Sequence, residues 1–217
     1  MMKKGKLIVL SGFSGSGKGT VVNGLLNKYD DYAISISATT RKPREGEVEG
    51  IHYYFKTPEE FQTMVDNDEF IEHATFVENS YGTPKAFVEN KLNEGINVIL
   101  EIEVQGALKV KEKMPETEMV FIIPPTAKIL KDRLVGRGTE SLDVVLGRLR
   151  RAIDESDFIK HYDYVIINDD INECIINVND TIHGNIKETE KIITDKKVID
   201  EFADNFKNEL SSLLEGE

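Results

Sequence analysis

The sequence predicts an α/β fold, a central and mostly parallel sheet flanked by helices. Three observations predict it. Leu7-Ile8-Val9-Leu10 is a short apolar run followed at once by Ser11-Gly12-Phe13-Ser14-Gly15-Ser16-Gly17-Lys18-Gly19-Thr20, then by Val21, Val22, Leu25 and Leu26 at helical spacing. Strand, glycine-rich loop and helix follow one another. Three more apolar runs, Ile96 to Glu103, Met119 to Ile123 and Tyr164 to Ile167, have the length of strands buried on both faces. Helical patterns separate these runs, and that alternation predicts βαβ units.

The glycine-rich loop is the first candidate site. Glycines let backbone N–H groups converge on a phosphate, and the helix N-terminus adds unpaired donors and the positive end of a dipole. Gly12, Ser14, Gly15, Ser16, Gly17, Gly19 and Thr20 are the candidate cradle, and Lys18 supplies a full charge for the terminal phosphates. A glycine turn preceding a lysine by chance is the alternative, and the strand before and helix after make it rare. The usual pattern puts Ser or Thr directly after the lysine, where its hydroxyl meets Mg²⁺. Here Gly19 intervenes, so Thr20 is the candidate metal contact, directly or through water. The Gly-Lys-Gly-Thr form resembles small nucleoside monophosphate kinases more than GTPases or motor ATPases.

In chain order, the first helix is expected to run to about Tyr29 and to close at Asp30-Asp31. Ala33 to Ser37 alternates as a short strand. A polar loop follows from Thr39 to Glu47, then a strand-like His52 to Phe55. Thr57-Pro58-Glu59-Glu60 opens a helix with an N-cap threonine, proline at the first position and glutamate three after the cap. Phe70 to Val77 reads as strand, and Tyr81-Gly82-Thr83-Pro84 as a turn into a helix that Gly95 ends. Pro124-Pro125 stops the third core strand and Thr126 caps the next helix. Gly136-Arg137-Gly138 breaks that helix into a loop, before a long charged helix from about Ser141 to Phe158. Asn168-Asp169-Asp170 ends the fourth core strand. Beyond about Gly184, Ile199, Phe202, Phe206, Leu210 and Leu213 form one apolar helical stripe. The stripe is expected to dock within the chain, with pairing to a second copy as the alternative.

Composition narrows the function. A chain of 217 residues, 40% hydrophobic and 30% charged, can bury a core, and no apolar run is long enough to span a membrane. The basic start precedes only four apolar residues, too few for a signal peptide. One cysteine, Cys174, forms no internal disulfide and fits a reducing cytoplasm, the expected location. A net charge of −12 argues against general nucleic-acid binding. An acidic protein that handles nucleotides must concentrate cations locally, and Arg41 with Arg44, then Arg133, Arg137, Arg148, Arg150 and Arg151, form two clusters. The four histidines show no metal-ligand spacing.

Arg41 and Arg44 flank Pro43 in a loop, and paired guanidinium forks suit phosphate oxygens. The segment Ser37-Ala38-Thr39-Thr40-Arg41-Lys42-Pro43-Arg44-Glu45-Gly46-Glu47, with Gly50, Tyr53 and Phe55, strongly resembles the monophosphate-binding segment of guanylate kinases. The resemblance extends through Phe70-Ile71-Glu72, Tyr81-Gly82-Thr83, Leu100 to Gly106, Arg133-Leu134, Gly136 to Glu140, Arg148-Leu149 and Ile167 to Asp170, from Leu7 to about His183. It implies a P-loop kinase fold with an inserted GMP-binding subdomain and a lid. It implies ATP as co-substrate with Mg²⁺, and phosphoryl transfer to GMP and also dGMP. Lys18, Arg41, Arg137 and Arg148 would be catalytic. Arg133, Arg137 and Asn168 would join the loop around ATP, with Asn168 beside the adenine. Arg41, Arg44, Tyr53 and Tyr81 would hold the GMP phosphate, while Ser37, Glu72 and Thr83 read the guanine edge. Glu101 and Glu103 would stand between the nucleotides.

The implied organisation is a core of 1–34, 86–128 and 150–184, a GMP-binding subdomain of 35–85, a lid of 129–149 and a helical extension of 185–217. The family core is complete without the extension, so the active site is expected to form without it. Phe13 replaces the proline usual in the family, and Glu103 its usual aspartate. Expected partners are the nucleotides alone, with neither nucleic acid nor membrane, in a monomer or homodimer. Two alternatives remain at this stage. One is a monophosphate kinase with another acceptor, and the other a non-catalytic guanylate-kinase-like binding module. An intact Lys18 and intact loop glycines disfavour the module.

Overall fold

Apolar strands and capped helices fall close to where the patterns place them. The computed structural model describes residues 4–76, 78–136, 141–187 and 189–215. In chain order the elements are β1 (Leu7–Gly12), α1 (Lys18–Lys28), β2 (Tyr32–Ile34), β3 (Ala38–Thr39), β4 (Tyr54–Phe55) and α2 (Pro58–Asp66). Then come β5 (Phe70–Phe76), β6 (Asn79–Pro84), α3 (Lys85–Asn93), β7 (Asn97–Leu100), α4 (Val104–Lys113) and β8 (Glu118–Ile123). After α5 (Ala127–Val135) and α6 (Leu142–Ser156) the chain makes a 3-10 turn at Ile159–His161. It ends with β9 (Tyr164–Ile167), α7 (Ile171–His183), β10 (Ile192–Ile193) and α8 (Lys196–Glu215). Two compact units result, Met1–Val9 with Tyr29–Thr117 and Leu10–Lys28 with Glu118–Glu217, so that β1 contributes to each.

In the first unit β7 is buried along its length and lies between β1 and β2. Leu7, Ile8 and Val9 pair in parallel with Val98, Ile99 and Leu100, and Tyr32, Ala33 and Ile34 with Asn97, Val98 and Ile99. A strand covered on both faces has no reason to alternate, which is why its sequence reads as one apolar run. A second sheet runs β4-β3-β6-β5. Its core is Ala38, Phe61 and Phe70, with Tyr54, Met64 and Val65 packed against them. Phe61 comes from α2, whose start forms the expected capping box between Thr57 and Glu60.

Three expectations need correction here. Tyr81-Gly82-Thr83-Pro84 is not a turn but most of β6, paired antiparallel with β3 and β5. Gly82 earns its place there because a Cβ would meet the Phe70 ring at 2.8 Å. The expected strand Ala33–Ser37 is shorter, ending at Ile34, and β3 begins the second sheet at Ala38. The expected strand Ile96–Glu103 stops at Leu100, which leaves Glu101 beyond it and makes Glu103 the N-cap residue of α4.

In the second unit β8 lies between β1 and β9. Val120 to Ile123 pair in parallel with Tyr164 to Ile167, and β10 closes the far edge antiparallel. Thr126 accepts from the Ile129 N–H and starts α5, as its position suggests. On α8 the buried positions Ile199, Ala203, Phe206 and Leu210 recur at three and four residues, and the helix packs on α5, α6 and the 3-10 turn. The stripe therefore docks within its own chain. Cys174 is buried, and loss of solvent pushes its thiol up to about 12, so it is inert packing rather than a nucleophile. Among the described residues no helix is long and apolar enough to cross a membrane.

Candidate active site

The glycine-rich loop connects β1 to α1, and Lys18 is the first residue of that helix. The loop turns where the Ser16 N–H donates to the Phe13 carbonyl at 3.0 Å. Gly15 and Gly17 have φ of 90° and 88°, which L side chains rarely adopt. At Gly17 a Cβ would also collide with the Asn168 amide. Ser14 and Thr20 are exposed, whereas Ser16 is wholly buried.

Neighbouring elements brace this loop. The Asn168 amide donates to the Ser16 carbonyl at 2.7 Å, and its backbone N–H donates to the Ile123 carbonyl at 2.7 Å. Arg133 of α5 donates to the Asn168 carbonyl at 2.9 Å and reaches the Ser16 carbonyl at 3.5 Å. Arg148 of α6 donates to the Ser14 hydroxyl at 2.7 Å. The two arginines that sequence reasoning assigned to a lid and its flanks thus come to the loop itself. Asn168 is buried with its amide given to Ser16, so it holds the loop's shape. Arg137, another assigned lid residue, lies outside the described residues.

The first unit gathers a different set. Arg41 stacks over the Tyr53 ring with 5.3 Å to its centroid, and Tyr53 meets Tyr81 edge-on at 6.1 Å. Tyr81 lies within hydrogen-bonding reach of the same guanidinium. Strand register explains the meeting, because Thr39 of β3 pairs with Tyr81 of β6, and Arg41 lies two residues beyond Thr39. Arg44 is exposed on the same loop. On β5 and β6, Glu72 and Thr83 are 6% and 1% exposed, and the Thr83 hydroxyl donates to the Glu72 carboxylate at 2.9 Å. Burial pushes Glu72 above the usual carboxylate range, against the Thr83 hydrogen bond and the charges of Lys109 and Lys113, which pull it down. Ser37 is half-buried, its carbonyl accepting from the Tyr54 N–H at 2.9 Å. Glu101 and Glu103 are exposed.

Two residues without an assigned role belong to this set. Glu47 bonds Arg41 at 2.7 Å and accepts from the Arg44 N–H at 2.7 Å, one carboxylate tying both arginine positions together. The Arg41 and Arg44 contacts hold its pKa down to about 2. An acid three residues beyond Arg44 and six beyond Arg41 was the available signal, and it reads equally well as a solvated loop charge. Lys109 donates to the His73 carbonyl at 3.1 Å, which sets its ammonium near Glu72. Nothing in helical spacing marks that pairing, because Lys109 is on α4 and its partners are on β5.

A strand, a glycine loop at positive φ and a lysine opening the next helix define a P-loop nucleotide-binding protein. The family model for guanylate kinase matches residues 4–185. A guanylate kinase of Caldanaerobacter subterraneus subsp. tengcongensis is 50% identical over 173 residues, 80% of this chain and 84% of that one. One from Bacillus cereus is 53% identical over 170 residues, 78% and 83% of the two chains. The crystal structure of guanylate kinase from Anaplasma phagocytophilum superposes with a TM-score of 0.66 at 34% identity, covering 92% of this chain and 96% of that one. The chain belongs to the guanylate kinase family.

Proposed function

We propose that the protein transfers the terminal phosphoryl group of ATP to GMP, giving ADP and GDP, and that dGMP is also accepted. Membership of the guanylate kinase family carries this reading, and the two polar constellations supply its chemistry. Phosphoryl transfer asks little covalent work of a protein, only in-line placement and cations around the moving group. Lys18 would meet the terminal phosphates of ATP from the start of α1, and Arg148 and Arg137 would neutralise charge that develops on the transferring group. Gly12, Ser14, Gly15, Ser16, Gly17, Gly19 and Thr20 would line the phosphates, with Arg133 and Asn168 holding the loop around them.

On the acceptor side Arg41, Arg44, Tyr53 and Tyr81 would bind the GMP phosphate. The stacking of Arg41 on Tyr53 supports that role, since it aims a permanently charged fork. Glu72 would accept from guanine N1–H and the 2-amino group, with Ser37 and Thr83 as lesser contacts and Glu101 and Glu103 beside the nucleotides. Residues 35–85 form the proposed acceptor-binding segment, 129–149 the lid, 185–217 the extension, and 1–34, 86–128 and 150–184 the core.

Mg²⁺ fits the donors at hand. It keeps most of its waters and binds through nucleotide phosphates plus one or two protein oxygens, and the Thr20 hydroxyl is exposed two residues past Lys18. When bound it would supply charge neutralisation to the phosphates of ATP. We place the enzyme in the cytoplasm.

A coupled assay of ADP release with GMP, dGMP, AMP and UMP as acceptors tests the reading, with Lys18→Ala as its companion. GMP should be the preferred acceptor. Loss of the Lys18 charge should lower kcat by about 10² to 10³, the range seen when one transition-state donor is removed, without unfolding the protein. Near-normal turnover by folded Lys18→Ala would remove the loop from the chemistry.

A further inference from the structure

The last helix meets the phosphate loop at one aromatic pair. Phe13, inside the loop, is 1% exposed, and Phe206 of α8 is 2% exposed. Their rings stack with centroids 5.5 Å apart and planes 15° apart, while Phe121 meets Phe13 edge-on at 5.1 Å. The Phe13 carbonyl accepts the Ser16 N–H that closes the loop's turn, so where the ring sits decides where the turn sits.

Phenylalanine leaves φ free, so this loop position must be held by what surrounds its ring. The same helix holds a second brace. Glu209 accepts from the Ala127 N–H at 3.2 Å at the start of α5, the helix that carries Arg133 and sets Leu130 and Leu134 against Gly15. α8 is itself pinned elsewhere, by Lys207 on Asp157 at 2.6 Å and by Lys196 on the Tyr162 carbonyl at 2.6 Å. All of α8 lies beyond residues 4–185 that the family model matches.

We propose that α8 positions the phosphate loop for ATP, with Phe206 acting through Phe13 as a positioning residue. The proposal rests on the assignment of ATP to that loop. It also makes the extension part of the working site, contrary to the expectation that the site forms without it.

Equilibrium binding of ATP and of GMP to the full chain tests it, on wild type, Phe206→Leu, Phe206→Ala, Phe13→Ala and the double alanine variant. An aromatic pair of this kind is worth enough that Phe206→Ala should weaken ATP binding about tenfold and leave GMP within about twofold. Phe206→Leu, which keeps most of the volume, should fall between. The double variant should bind ATP no worse than the weaker single one, because both changes break one contact. Ile199→Ala, which thins the same helix away from the loop, should lower the melting temperature without moving ATP affinity. ATP affinity unchanged in folded Phe206→Ala overturns the proposal. If that variant does not fold, an unchanged affinity in Phe206→Leu overturns it equally. GMP affinity falling in step with ATP also overturns it, by showing general loosening. Wild-type protein that binds GMP but no ATP overturns the loop assignment and this proposal with it.

Discussion

Glu72 is the side chain at which the proposed specificity and a stability effect meet. Guanine offers two adjacent donors, N1–H and the 2-amino group, and an ionised carboxylate accepts from both, whereas adenine presents a bare N1 lone pair. A site built for a hydrogen-bonding partner rejects the analogue lacking it by about 10⁴ or more. Glu72→Gln keeps the shape but turns a donor toward a donor, so kcat/KM for GMP should fall at least about 10²-fold while that for AMP changes little. Equal losses for both substrates would show that Glu72 does not read the base. The stability effect has the opposite sign. Burial raises the Glu72 pKa in the folded state, so the native protein binds its proton more readily than the unfolded chain does. Stability from this group is therefore lost as pH rises from the ordinary value of 4.5 through the raised one, and the cost is complete only above the raised value. Urea unfolding at pH 8 should find Glu72→Gln at least as stable as wild type, a gain absent below pH 4.5. A less stable variant at pH 8 would show that Lys109 and Lys113 outweigh the burial.

At the scale of elements, α5 and α6 each turn one arginine, Arg133 and Arg148, toward a loop far away in sequence. Arg148 stands on α6 between buried Val145 and Leu149, so packing of the apolar face fixes where its guanidinium goes. An arginine on the charge of a transferring phosphoryl group can be worth about 10³ in kcat. Arg148→Ala should therefore cut kcat steeply, move the KM for ATP through its lost Ser14 contact, and leave the KM for GMP unchanged. Steady-state kinetics with each substrate varied would check this, and a loss confined to GMP affinity would assign Arg148 to the wrong nucleotide. Elements were legible in the sequence where a local signal coincided with burial. The capping box at Thr57, the run of β8 and the cap at Thr126 are of that kind. β6 was not, because Gly82 and Pro84 speak for a turn, while the pairing with β3 and β5 that makes it a strand joins residues more than forty positions apart in one case. The candidate residues were legible from the motifs, but their mutual contacts were not. Nothing local says that Glu47 holds Arg41, that Asn168 holds Ser16, or that Phe206 stacks on Phe13.

For the whole molecule, a net charge of −12 is reconciled with anionic ligands by gathering cations into two places that fall in different compact units. Arg41 and Arg44 belong to the first, and Lys18, Arg133 and Arg148 to the second. On the proposed assignment each nucleotide has its own unit to stabilise, and a ligand stabilises only the structure it binds. At a free concentration about a hundred times its dissociation constant, the gain is about 2.7 kcal/mol, which slows exchange through the affected openings by about a hundredfold. Hydrogen exchange should separate the two ligands. ATP alone should protect the amides of residues 12–20 and the first turns of α1 and α5, while those of β3 to β6 keep their rates. GMP alone should protect the amides of residues 37–47 and of β5 and β6, and leave the phosphate loop as it was. The amides of β1 should respond little to either, because that strand is buried and shared between the units, and its openings already require much of the global free energy. Mass spectrometry of peptides spanning these segments reads the outcome directly. Equal protection of both units by either nucleotide would mean that the chain opens as a single body, and GMP protecting α5 in the absence of ATP would place the acceptor in the second unit.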